Sequence, residues 1–107
     1  MKNIEDTVRS LGIIRTYKGY RQLCCVLRIS TGNPQTLQTI RKSIYKEAAH
    51  ELGCSWTSIE RNIRTLSERA WKVNPSTLSE IVGFRLETRP SATVFLESLT
   101  YYILGDE

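Results

Sequence analysis

Apolar residues recur every three or four positions along most of this chain, and that spacing limits the fold more than any other feature. The clearest run is Trp56, Ile59, Ile63, Leu66 and Ala70. Steps of 3, 4, 3 and 4 put all five on one stripe of an α-helix but would divide them between the two faces of a strand. No stretch alternates cleanly for more than a few residues, so the chain is predicted to be all-α, with about six helices.

Start and stop signals divide the chain. Ile4, Val8 and Leu11 follow Asn3, with Asp6 placed to complete a cap and Gly12 at the weakening end. Tyr20, Leu23, Cys24 and Leu27 predict a second helix over Lys18–Ile29, with Arg21 and Arg28 on its far side. Ser30 to Asn33 reads as a loop. Asn33-Pro34 then opens a helical region through Leu37, Ile40, Ile44, Ala48 and Leu52 to Gly53, long enough to leave a bend near Tyr45 open. Ser55 caps the helix of the main stripe. Asn74-Pro75 stops it, Ser76 opens a short helix to Val82, and Gly83 ends that one. The stretch from Phe84 to Arg89 reads as irregular or weakly extended. After Pro90, Ser91 caps a last helix with Phe95, Leu99, Tyr102 and Ile103 as its buried stripe.

Length and composition narrow the function. One core and one domain fit 107 residues; two do not. Lysine and arginine number 15 against 11 acids, for a formal charge of +4, and ten of the fifteen are arginine, which forks onto phosphates and guanine edges. That balance suits a polyanion. No segment approaches the roughly 18 apolar residues of a membrane span, and MKNIEDTV does not read as a signal sequence, so a cytoplasmic protein with no membrane partner is expected. Cys24, Cys25 and Cys54 are odd in number with two adjacent, which fits core thiols rather than a disulfide framework. His50, the single histidine, lies four residues from Cys54 with Gly53 between them, a poor start for a metal site. With no phosphate-cradling glycine loop and no closely paired carboxylates, neither an enzyme nor a cofactor or metal is expected.

The two helices flanking Gly53 make the strongest constellation. Counted from Tyr45, a helix-turn-helix unit of about twenty residues places Ala49 at the close crossing, Gly53 in the turn and Ile59 in the second helix's core. Ala48, Leu52 and Cys54 fill further apolar slots; Asn62 occupies a late one that Ile63 supplies one residue on. At about 100° per residue, the inward stripe leaves Thr57, Ser58, Arg61, Arg64, Thr65 and Glu68 facing away from the core. Arginines and hydroxyls near a helix amino end are what the major groove requires. Glu60, on the flank, suits either a cytosine amino group or an i,i+4 pair with Arg64. Phosphate anchoring is expected from Ser55, Thr57, Lys18, Arg21, Lys42, Lys46 and Arg89.

The order of short motifs from about Leu11 to Leu104 resembles the C-terminal DNA-binding domain family of the sporulation initiation response regulator of endospore-forming bacteria. Lys18-Gly19-Tyr20, Tyr45 with Ala49, the IERNIR run of residues 59–64, Ala70-Trp71, Gly83-Phe84, and Arg89-Pro90-Ser91 with Phe95 carry it. The resemblance implies transcription regulation through double-stranded DNA, with Glu60, Arg61 and Arg64 in the major groove and Ser58 beside them. It also implies a short box of the TGTCGAA kind, a second copy on tandem sites touching partly through the last helix, and RNA polymerase as a further partner. Ser58 stands where the family usually has arginine, and Lys46 where it has proline. A phosphorylated receiver domain precedes this unit in the family. With aspartates only at positions 6 and 106, none is expected within these residues, leaving an isolated effector domain or a free-standing relative. The alternative from another class is a helical protein-interaction module that has lost DNA binding and modulates a full-length relative.

Overall fold

The computed structural model describes residues 1–35, 37 and 41–105, with the backbone alone at residue 41. Six helices and no strand occur among the described residues: α1 (Ile4–Ser10), α2 (Tyr20–Gly32), α3 (Arg41–Leu52), α4 (Trp56–Val73), α5 (Pro75–Val82) and α6 (Ala92–Leu104). The Cα radius of gyration is 12.6 Å, about what one globule of this length requires.

Local chemistry accounts for most boundaries. Asn3 Oδ1 accepts from the Asp6 amide at 2.9 Å, and the hydroxyls of Ser55 and Ser91 accept from the Ser58 and Val94 amides, both at 3.2 Å. Each satisfies one of the amides that a helix start leaves without an internal partner. Gly53 adopts φ +69° just past α3, and the Cys54 amide reaches back to the Ala49 carbonyl at 3.1 Å. That bond, with the left-handed glycine before it, is a Schellman closure and makes the turn between α3 and α4 tight.

The core lies where α2, α4 and α6 meet. Leu23, Leu27, Ile59, Ile63, Phe95, Leu99 and Ile103 are wholly buried there. Ile59, Ile63, Leu66 and Ala70 are the predicted inward stripe, with half-buried Trp56 at its amino end.

Several boundaries differ from expectation or settle what was open, and α2 starts at Tyr20 rather than Lys18, after a left-handed Gly19. Ser30 to Gly32 continues α2 instead of forming a loop: Ser30 Oγ meets Thr100 Oγ1 of α6 at 2.8 Å, and Thr31 Oγ1 donates to the Leu27 carbonyl at 2.8 Å. Hydroxyls that bond within the helix or across to a neighbour no longer compete with its backbone. No bend occurs at Tyr45, since α3 runs unbroken from Arg41 to Leu52; Ile40 and the residues at 36, 38 and 39 lie outside the described set. Proline at its first position starts α5 at Pro75 rather than Ser76. In α6, Tyr102 is half-buried and Leu96 and Thr100 complete the stripe.

Candidate nucleic-acid interface

The outward arc of α4 is where the sequence placed its candidates. Arg61, Arg64, Thr57 and Thr65 are exposed, and Ser58 and Glu68 half-exposed. Among the described residues neither Arg61 nor Arg64 has an ion pair or side-chain hydrogen bond. The pair between Glu60 and Arg64 that the spacing allowed does not form; Glu60 instead lines an open cleft of about 230 Å³ with Lys42, Tyr45, Trp56, Ala92 and Thr93. Two guanidinium groups free of carboxylates leave their forked donors available to an acceptor outside the chain.

The amino end of α4 is more tightly organised than its sequence suggests. Ser55 Oγ accepts from both the Ser58 amide and, at 3.3 Å, the Thr57 hydroxyl, while Ser58 Oγ donates to the Ser55 carbonyl at 2.9 Å. The proton of Ser58 is therefore turned back onto the helix start, leaving its oxygen as an acceptor. Helix starts carry partial positive charge and unpaired amides, so phosphate is favoured there.

The other basic candidates divide between two flanks of α4. On one, Arg89 Nη1 approaches Glu68 Oε2 at 3.3 Å, and Lys42 Nζ lies 4.8 Å from the centre of the Trp56 ring, fixing both cations beside the arc. Lys46, also exposed, follows Lys42 one turn along α3. On the other flank the backbone at Gly19 presses against α4: a Cβ there would lie 2.8 Å from Asn62 Cβ, so only glycine, with its φ of +93°, fits the approach. Lys18 is thereby held next to α4, and Arg21 lines a cleft with Glu5, Arg15, Tyr20 and Cys24.

Two features escaped sequence reasoning. Arg69 Nη2 donates to Tyr17 Oη at 2.6 Å and stacks 4.8 Å from that ring's centre, adding a cation to the Lys18 flank. Asn62 is 9% exposed, and its Nδ2 donates to Gln22 Oε1 at 2.7 Å. A tyrosine before the Lys-Gly pair and a lone amide inside an apolar stripe were the available signals, neither of which names its partner.

Two of the cysteine thiols are shifted by their surroundings. Burial, and next the charge of Glu5, push the Cys24 thiol up to about 11, so it stays protonated near neutral pH and is a poor nucleophile. Cys25 is raised too, first by burial, then by Glu51. Only Cys25 is fully core; Cys24 and Cys54 are half-buried, and all three are free thiols. Among the described residues no three histidine, cysteine or acidic side chains converge as metal ligands, and no helix is long and apolar enough to cross a membrane.

No curated protein matches the chain by sequence. The family described as Sporulation initiation factor Spo0A C terminal matches residues 4–103, which spans all six helices to within one residue of the end of α6. With nearly its whole length matched, the chain belongs to this family of DNA-binding regulatory domains of sporulation.

Proposed function

We propose that this chain binds specific duplex DNA through α4 and regulates transcription, the 107 residues acting as one helix-turn-helix unit. The observation that carries the proposal is the pair of exposed, uncommitted guanidinium groups of Arg61 and Arg64 on the outward arc of a helix whose opposite face is wholly core. In the major groove these residues and Glu60 meet base edges, with Ser58 as a weaker, acceptor-only neighbour. Ser55, Thr57 and the amino end of α4 take one phosphate run. Lys42, Lys46 and Arg89 on one flank, and Lys18 and Arg21 on the other, take the strands bordering the groove. A second copy on an adjacent box and a contact to RNA polymerase extend this reading to a promoter.

The test is a titration against a duplex containing the TGTCGAA box and against random sequence, each at two salt concentrations. Preference for the box, with affinity falling steeply as salt rises, is expected because several phosphates must release counterions. No affinity for either duplex would favour the protein-interaction module that has lost DNA binding, and equal affinity for both would overturn sequence-specific recognition of this box.

A further inference from the structure

We infer that Gln22, on a helix that carries none of the candidate base-reading residues, is a positioning residue that sets the roll of α4 and with it the choice of DNA sequence. This rests on the proposed role of α4. Gln22 is half-buried at the start of α2 and holds two parts of the helix-turn-helix at once. Its Oε1 accepts from Asn62 Nδ2 at 2.7 Å, and its Nε2 lies 3.6 Å from Cys54 Sγ, a weak bond to the turn. Cys54 is itself tied to the end of α3 through its amide. One side-chain amide thus joins α2, the turn and the middle of α4.

Where Asn62 lies on the helix gives the bridge its consequence. At about 100° per residue it is about 100° from the Ile63 direction, at the border between the buried stripe and the arc of Ser58, Arg61 and Thr65. An apolar side chain at this border would hold the helix by contact alone and tolerate rotation about its axis; a directional bond between two amides does not. The adjacent Gly19 backbone, against Asn62 Cβ and 3.4 Å from Leu66 Cδ1 for an added Cβ, blocks rotation toward α2. Leaving the Asn62 amide buried without its partner would be unfavourable, so losing Gln22 drives α4 to roll until Asn62 finds water. Arg61 immediately precedes Asn62, and a roll carries its guanidinium across the groove.

The experiment compares specificity with plain affinity. Wild type, Gln22→Met, Gln22→Glu, Asn62→Leu and the Gln22→Met/Asn62→Leu double variant are titrated with a duplex selected by wild type from a randomised library, and with random duplex, below each variant's melting temperature. Gln22→Met and Asn62→Leu should each lower the ratio of selected to random affinity by about fivefold, the size of one net hydrogen bond, with the salt slope unchanged. The double variant should lose no more than either single one. Gln22→Glu keeps an acceptor toward Asn62 and should retain the ratio, even where its charge weakens binding to every duplex. Should Gln22→Met not fold, Gln22→Ala removes the same bonds without the bulk and takes its place. A wild-type ratio in the Gln22→Met and Asn62→Leu variants, equal losses on both duplexes, or additive losses in the double variant would overturn the inference. Wild type that selects no duplex would instead overturn the reading of α4 on which it rests.

Discussion

Helices α4 and α6 begin alike and end as opposites. Each opens on a serine whose hydroxyl accepts from the amide three residues on, at 3.2 Å in both, and each lays an apolar stripe into the same core. Their remaining faces differ. Six of the 18 residues of α4 are charged, gathered on the side away from the core, whereas α6 has Glu97 alone among 13 and leaves Val94 and Tyr101 exposed at 37% each. Identical capping chemistry thus starts a helix without deciding its use. The pattern on the outer face separates a helix that presents charge to its surroundings from one that serves as the central staple of the core.

The widest separation between the two should come from core truncation. Phe95→Ala, at a wholly buried position of α6, is expected to cost about 3 to 5 kcal/mol, and Ile63→Ala in the α4 stripe about 2 to 5 kcal/mol. Thr65→Ala, on the outer arc two residues from Ile63, should stay within about 0.5 kcal/mol. Melting curves of the three variants check this, and equal midpoints for the two α4 variants would show that its inward face is misassigned.

Next in size are the arginines. Arg61→Ala and Arg64→Ala should each lose about 1 to 3 kcal/mol on the preferred duplex and relax choice at one base pair, with unchanged melting, because neither side chain belongs to the stripe. Titration with single-base variants distinguishes this from phosphate contact, which weakens every sequence alike and lowers the salt slope by about one unit.

A finer comparison replaces the two caps. Ser55→Ala and Ser91→Ala should each destabilise by about 1 kcal/mol in denaturant unfolding. Only Ser55→Ala should also weaken DNA binding, because it removes the acceptor of the Thr57 hydroxyl and the Ser58 amide at the end of α4 proposed to meet phosphate. Equal binding by both variants would remove the amino end of α4 from the interface.

The smallest effect is expected at Lys46, exposed on α3. Lys46→Ala should leave sequence preference intact while reducing the salt dependence by about one unit, as measured by titration across salt concentrations.

Much of this was legible in residue order because it depends on near neighbours. Asn3, Ser55 and Ser91 cap helices through amides three positions on, Gly53 closes α3 over six residues, and the 3, 4, 3, 4 spacing separates the inward Ile59, Ile63, Leu66 and Ala70 from Arg61, Arg64 and Thr65. Helical periodicity alone determines which residues share a face. Tertiary structure decided whatever needed a distant partner. Asn62 is buried because Gln22, 40 positions away, supplies its acceptor, and Ser30 stays helical because Thr100, 70 positions away, meets its hydroxyl. Glu60 and Arg64 have the spacing of an ion pair yet remain apart, with Glu60 at the cleft beside Lys42 and Trp56. A polar side chain has several partners within local reach and takes the one the assembled fold brings near while water is excluded, a choice that no spacing along the chain contains.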